Sequence, residues 1–249
     1  MRVALVQFRP EFKAKEQNLR RLVGFVGQAA KAGAKLVVLP ELATTGYSFM
    51  SEAEAAQVAE PIGPDGYTFG VMQKAAQLLG VHIVWGMAEH DLQTEKLYNS
   101  QVLVTPTGKW VKYAKVNLWG NDWIWCAEGR ANPPILDCDF GEDGHRKVGL
   151  LICRDVRDKK DSKWSDFYES GDADLVAFSS NWGDGGFPAI AWVDFVKDNK
   201  TTLLVSNRWG KEIPNDFGEG GVCAITAKPF KVHCEGLVWN QDCIVYAEV

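Results

Sequence analysis

Leu36-Val37-Val38-Leu39-Pro40-Glu41 sets the reading of this chain: four consecutive apolar residues, a proline, and then a carboxylate. An apolar run without alternation is the pattern of a strand buried on both faces. Such a strand belongs in a sheet covered on both sides. The polar residue just beyond it lies at the sheet edge, where α/β proteins bind ligands. The pattern recurs in Val148-Gly149-Leu150-Leu151-Ile152-Cys153-Arg154-Asp155, which puts a thiol where the first run has a carboxylate. A third segment, Lys112-Tyr113-Ala114-Lys115-Val116-Asn117-Leu118, offers an ammonium. Carboxylate, ammonium and thiol are what a thiol acyl-transfer centre needs: a base, a cation for the oxyanion, and a nucleophile.

Outward from the first run, Leu19, Leu22, Val23 and Val26 fall at helical spacing, and Ala29 and Ala30 continue the face. They predict a helix over 17–35, punctuated by Gly33, between a first strand at 1–8 and the strand ending at Glu41. A second helix is expected over 67–79, using Phe69, Met72, Ala76 and Leu79, followed by a strand at 82–88. Strands at 98–105 and 109–116 flank Pro106-Thr107-Gly108, a hairpin turn signal. The Trp- and Gly-rich stretch 119–134 reads as irregular. Strand 147–153, helix 163–170, strand 174–179, helix 188–198 and strand 201–206 then alternate, and further strands are expected at 222–226, 232–234 and 244–248. With no linker, low-complexity tract or repeat, residues 1–249 read as a single domain. The alternation predicts an α/β protein with helices on the outer faces of mixed sheets.

The bulk composition excludes several classes. Apolar residues are 46% and charged residues 24%, an ordinary globular balance, and a net charge of −5 gives no electrostatic reason to expect nucleic acid. No stretch approaches the ~18 apolar residues of a membrane span, so no membrane partner is expected. The short apolar N-terminus lacks a small-residue cleavage site and reads as a strand rather than a signal peptide. Six cysteines without a close repeat, in a chain of 249 residues, suggest reduced thiols in the cytoplasm. Four histidines without ligand spacing give no ground for a metal, and no cofactor is implied. No Gly-x-Gly-x-x-Gly follows the first strand, against a dinucleotide-binding dehydrogenase.

By composition alone, a Cys closing an apolar run is more often a buried small hydrophobe than a nucleophile, by roughly ten to one. The sequel changes the balance, because Arg154-Asp155-Val156-Arg157-Asp158 turns abruptly polar. A nearby cation is expected to lower the thiol pKa. The segments, taken in order, resemble the nitrilase, or carbon–nitrogen hydrolase, superfamily over nearly the whole chain. Gly149-Leu150-Leu151-Ile152-Cys153-Arg154-Asp155 is similar to its Gly-x-x-Ile-Cys-x-Asp segment. Pro40-Glu41-Leu42 with Thr45-Gly46-Tyr47 is similar to its first motif, and Tyr113 to Leu118 to its Tyr-x-Lys-x-x-Leu segment.

The resemblance implies a four-layer α-β-β-α sandwich and a Glu41-Lys115-Cys153 triad. In it Cys153 attacks, Glu41 moves protons, and Lys115 stabilises the oxyanion with the backbone N–H after the nucleophile. Many relatives add a second Glu beyond the Lys. Here Asp122 or Glu128 stands in that region, and Asp122 is preferred, against the plain alternative that it caps a turn. Tyr47, Trp119, Arg154, Asn181 and Trp182 are the expected substrate-binding residues; Trp123 and Asn207 also follow strand ends. Residues 194–199 depart from the Arg-x-x-Glu-Asn that many relatives carry there.

The implied activity is hydrolysis of a non-peptide C–N bond, with an amidase acting on a small amide as the leading expectation. Nitrile hydrolysis and N-carbamoyl cleavage are the alternatives. From other classes come acyl transfer to an amine or lipid, and a non-catalytic binding protein on the same fold. A homodimer or larger assembly is also implied, pairing through helices 163–170 and 188–198, with Trp164, Phe167, Tyr168, Trp192 and Phe195 as apolar candidates.

Overall fold

The structure, a computed structural model, describes residues 1–157, 172–183 and 186–249. Its first strand, β1 (Arg2–Gln7), leads into helix α1 (Lys15–Lys31). Leu19, Leu22, Val26 and Ala29 form the buried face of α1, with Val23 partly covered. Burying each of the large ones contributes on the order of 1.5–3 kcal/mol. The helix ends where Gly33 takes a φ of 85°, a left-handed exit that a side chain resists. Strand β2 (Leu36–Val38) follows, then the one-turn helix α2 (Glu52–Ala56) and helix α3 (Tyr67–Leu79). In α3, Phe69, Met72 and Ala76 are buried as expected, but Leu79 is 40% exposed. Gly80 turns the chain at once into the next strand, and Val81 takes the covered place instead.

Strands β3 (His82–Asp91), β4 (Lys96–Val104) and β5 (Trp110–Ala114) extend the sheet begun by β1 and β2. The stretch predicted as irregular holds a one-turn helix, α4 (Asp122–Trp125). Strand β6 (Ile135–Asp139) was not foreseen, since Ile-Leu-Asp-Cys-Asp behind two prolines shows neither clean alternation nor an apolar run. Then come β7 (His145–Ile152), β8 (Leu175–Ser180), helix α5 (Ile190–Asn199) and β9 (Thr202–Asn207). The tiny pair β10 (Lys211–Glu212) and β11 (Asn215–Asp216), also unforeseen, precedes β12 (Cys223–Ala227), β13 (Phe230–His233) and β14 (Cys243–Glu248).

Two six-stranded sheets result, ordered β14-β1-β2-β3-β4-β5 and β13-β12-β9-β8-β7-β6. In each, three parallel strands occupy the middle and antiparallel strands flank them. Alternation along β1 and β2 divides the core. Ala4, Val6, Val37 and Leu39 pack under α1 and α3, whereas Val3, Leu5, Leu36 and Val38 pack against the second sheet. Helix α5 covers the far face of that second sheet. The four-layer α-β-β-α sandwich is therefore the fold, and coverage on both sides is why the central strands read as unbroken apolar runs.

Between the sheets, Gln101 donates to Ala177 O (3.1 Å) and Ser179 Oγ (2.8 Å), and Ser179 donates to Leu39 O (2.7 Å). Ser206 donates to Val6 O at 2.6 Å. These buried polar links join the carboxyl ends of strands from the two sheets and fix one end of the sandwich against the other. Trp192 and Phe195 of α5 are 2% and 7% exposed, packed inward on the sheet, so they offer nothing to a partner subunit. The predicted helix 163–170, with Trp164, Phe167 and Tyr168, lies outside the described residues. No described helix is long and apolar enough to cross a membrane.

Candidate active site

Glu41 stands three residues past β2, in a turn that leans on the neighbouring strand. Gly86 N donates to Pro40 O (3.0 Å) and Ala43 N to Gly86 O (3.0 Å). Position 86 must be glycine, because a Cβ there would lie 2.5 Å from Leu42 N. Lys115 follows the last residue of β5, its N–H donating to Asn99 O (2.8 Å) and its carbonyl accepting from Gly129 N (2.9 Å). Both side chains are wholly buried, and both residues follow strands of the first sheet. Cys153 comes from the second sheet, directly after β7, in a tight turn with φ at 45°. That is left-handed backbone for a residue with a Cβ, a strain of roughly 1–3 kcal/mol.

Asp155 holds this turn in place. Its Oδ2 accepts the N–H of Ile152 and its Oδ1 the N–H of Asn117, both at 3.1 Å. The carboxylate thus ties the Cys153 turn to the loop carrying Lys115. Burial pushes its pKa up to about 6, against the pull of Lys115 and the two N–H groups.

Four side chains close a buried ring. Lys115 Nζ donates to Glu41 Oε1 (2.7 Å) and Asp122 Oδ2 (2.6 Å), while Asn99 Nδ2 donates to Glu41 Oε1 (2.7 Å) and Asp122 Oδ1 (3.0 Å). Two carboxylates around one ammonium in a dry site are tenable because every charge is hydrogen-bonded. Asp122 Oδ2 also accepts the N–H of Trp119 at 3.0 Å, so the residue caps its turn and completes the ring together. Glu128 lines a separate surface groove with Lys96, Tyr98 and Arg130. Asp122 is the acid beside Lys115.

The remaining Glu41 oxygen, Oε2, is buried without a hydrogen-bond partner among the described residues. Burial raises the Glu41 pKa above the ordinary carboxylate value, with Lys115 pulling the other way and Asp122 adding to the rise. Burial works against the Lys115 ammonium, but Asp122 and Glu41 outweigh it and hold its pKa well above the usual value. The Cys153 thiol departs from expectation. Burial and then the Glu41 charge push it up to about 12, although Lys115, the Asn181 N–H and the Ser180 hydroxyl favour the anion. A cation beside a buried thiol does not make a resting thiolate when a carboxylate is also close. The sulfur rests protonated.

Cys153 opens into a pocket of about 100 Å³ lined by Tyr47, Trp119, Arg154, Asn181 and Trp182, all five of the predicted substrate-binding residues. The wall is completed by Arg157, Gly183, Asn215, Asp216 and Phe217, which the sequence did not single out. At the mouth the arginines stack on indoles, Arg154 on Trp119 at 4.5 Å and Arg157 on Trp182 at 4.6 Å. Inside, both polar atoms of the buried Asn181 amide lack a hydrogen-bond partner among the described residues, which leaves a donor and an acceptor for a ligand. Burial holds Tyr47 a neutral phenol, and it donates to Trp119 O. Asn207 clamps the backbone of Trp182, accepting its N–H at 2.8 Å and donating to its carbonyl at 3.1 Å. Among the described residues no group of His, Cys, Asp or Glu is placed to hold a metal ion.

Comparison with known proteins identifies the family and the fold. The family model described as carbon-nitrogen hydrolase matches residues 2–179. The chain is 37% identical over 155 residues to a nitrilase from Pyrococcus abyssi, covering 62% of this chain and 56% of that one. It is 33% identical over 162 residues to an omega-amidase from Danio rerio, covering 63% and 55%. The chain thus spans about half the length of the curated relatives it matches. Among solved structures, the amidase from Nesterenkonia sp. AN1 superimposes with a TM-score of 0.78 at 20% identity, over 100% of this chain and 93% of that one. The likeness is one of fold.

Proposed function

The chain belongs to the carbon–nitrogen hydrolase family, and from that premise we propose that it is an amidase releasing ammonia from a small amide through a Cys153 thioester. The observation that carries this reading is the asymmetric Glu41 carboxylate: Oε1 holds Lys115 and Asn99, Oε2 has no hydrogen-bond partner among the described residues, and the Glu41 charge acts on the Cys153 thiol. Such an oxygen is a proton acceptor with nothing else to do.

The steps balance as follows. Glu41 takes the Cys153 proton as sulfur attacks the amide carbonyl, and Lys115 with the Arg154 backbone N–H stabilises the oxyanion. The carbon–nitrogen bond breaks as Glu41 returns the proton to the departing amine. Water, deprotonated by Glu41, then cleaves the thioester to a carboxylic acid and the free thiol. The Asn181 amide is suited to orient the substrate. A pocket of about 100 Å³ favours a short acyl chain, since drug-sized ligands occupy roughly 300–1,000 Å³. Nitriles and N-carbamoyl compounds remain the second reading, because the same three groups serve them.

Ammonia release from a panel of short amides, nitriles and carbamoyl compounds tests the proposal. Turnover of amides above the others is expected, and no release from any of them overturns it. The pH profile is a further expected outcome. Because Glu41 must be ionised and its pKa is raised, kcat/KM should fall as pH drops through a limb above the usual Glu value of about 4.3. A rate flat down to that value would remove Glu41 as the base. A cytoplasmic location belongs to the same proposal, supported by six free cysteines. So does a homodimer, which rests on the family resemblance.

A further inference from the structure

One carboxylate outside the ring gathers more hydrogen bonds than the proposed chemistry uses. Glu212 Oε1 accepts the consecutive backbone N–H groups of Tyr47 and Ser48, each at 2.7 Å, and its Oε2 accepts Arg208 Nη2 at 3.0 Å. Its own carbonyl accepts Ser48 Oγ at 2.8 Å. Arg208 is fully buried against the Phe217 ring, 4.1 Å from its centroid, and its Nε and Nη1 have no hydrogen-bond partner among the described residues. Gly46 makes the approach possible: its φ is 82°, and a Cβ there would meet Glu212 Oε2 at 2.5 Å. A charge-assisted clamp on two successive N–H groups is strong and geometrically specific.

The clamp joins two walls of the pocket. On one side is Tyr47, whose hydroxyl donates to Trp119 O, while Trp119 N donates to the Asp122 oxygen that holds Lys115. On the other is the hairpin β10–β11, which carries Asn215 and Asp216 and leads into Phe217. Asn215 adds a second tie, donating to Ser48 Oγ at 2.8 Å and Asn121 Oδ1 at 3.2 Å. We propose that Glu212, braced by Arg208, is a positioning residue that fixes the gap between these walls and so sets which acyl group the pocket accepts. The proposal rests on the amidase reading for its substrate. The clamp itself is independent of it.

Glu212→Gln keeps the shape and removes the charge. With the best amide from the panel, KM is expected to rise about tenfold while kcat changes by less than about threefold, the signature of lost binding rather than lost chemistry. Amide hydrogen exchange at Tyr47 and Ser48 should become faster in the same variant. The double variant Glu212→Gln/Arg208→Met removes the unpaired buried cation and is expected to regain thermal stability while KM stays high. Recovery of KM together with stability would show a merely structural role and overturn the proposal, as would unchanged exchange at Tyr47 and Ser48. If the parent protein hydrolyses no amide, the amidase reading falls, and the exchange measurement still decides whether Glu212 holds the loop.

Discussion

Cys153→Ala is expected to lower amide turnover by on the order of 10⁵–10⁶, the scale on which removing a nucleophile disables a coupled catalytic group. Neither Glu41 nor Lys115 replaces the sulfur, because the buried hydrogen-bond ring holds both side chains in place. The fold should persist. The thiol is small, and alanine inherits the same φ of 45° with the same strain, so the change in stability should stay within about 1 kcal/mol. Cys153→Gly relieves that strain and should match or exceed the parent in thermal stability while being equally inactive. Parent-level ammonia release from purified Cys153→Ala would end the nucleophile assignment. A thioester mass on the peptide containing Cys153 would support it directly.

The second large effect separates two residues that lose activity together. Glu41→Gln should lower the rate by on the order of 10²–10⁴, through loss of the base. Lys115→Ala should lower it by about 10²–10³, through loss of oxyanion stabilisation. Their stabilities should part. Lys115→Ala leaves Glu41 and Asp122 buried and facing each other without a cation, and breaking a buried pair in that way costs about 3–5 kcal/mol. Glu41→Gln removes one of the two negative charges and leaves Lys115 paired with Asp122 at 2.6 Å, so it should melt near the parent. Equal melting temperatures for the two variants would contradict the buried ring.

Much of this was legible in the sequence because burial leaves a mark on composition. The runs before Glu41 and Cys153 are apolar without alternation, and the structure covers those strands on both faces. Strand ends also pointed to Asn181 and Trp182, since a chain leaving a parallel sheet must put its next residues at the same rim, whereas Tyr47, nine residues beyond β2, came from the family motif. Asn99 was missed although a signal existed: Asn99-Ser100-Gln101 is a polar run inside an otherwise apolar strand, and all three are buried. Asn215, Asp216, Phe217 and Glu212 left no such signal. A two-residue hairpin has no periodicity, and its place beside Tyr47 comes from contacts about 165 residues apart in sequence. The Cys153 pKa runs against the sequence expectation because burial, its largest cause, and then the Glu41 charge outweigh the Lys115 cation, and the depth of burial is not written in the local sequence.

A sulfur that rests as a thiol has a bearing on how long the protein keeps working. Peroxides, disulfides and alkylating agents attack the thiolate, and at neutral pH a group held near 12 offers almost none of it. In the proposed mechanism the proton leaves when a substrate carbonyl is in place and Glu41 takes it. On that mechanism, reactivity is switched on by occupancy rather than carried continuously. The arrangement that makes the nucleophile look sluggish also shields it from the chemical ageing that exposed, ionised cysteines undergo between turnovers.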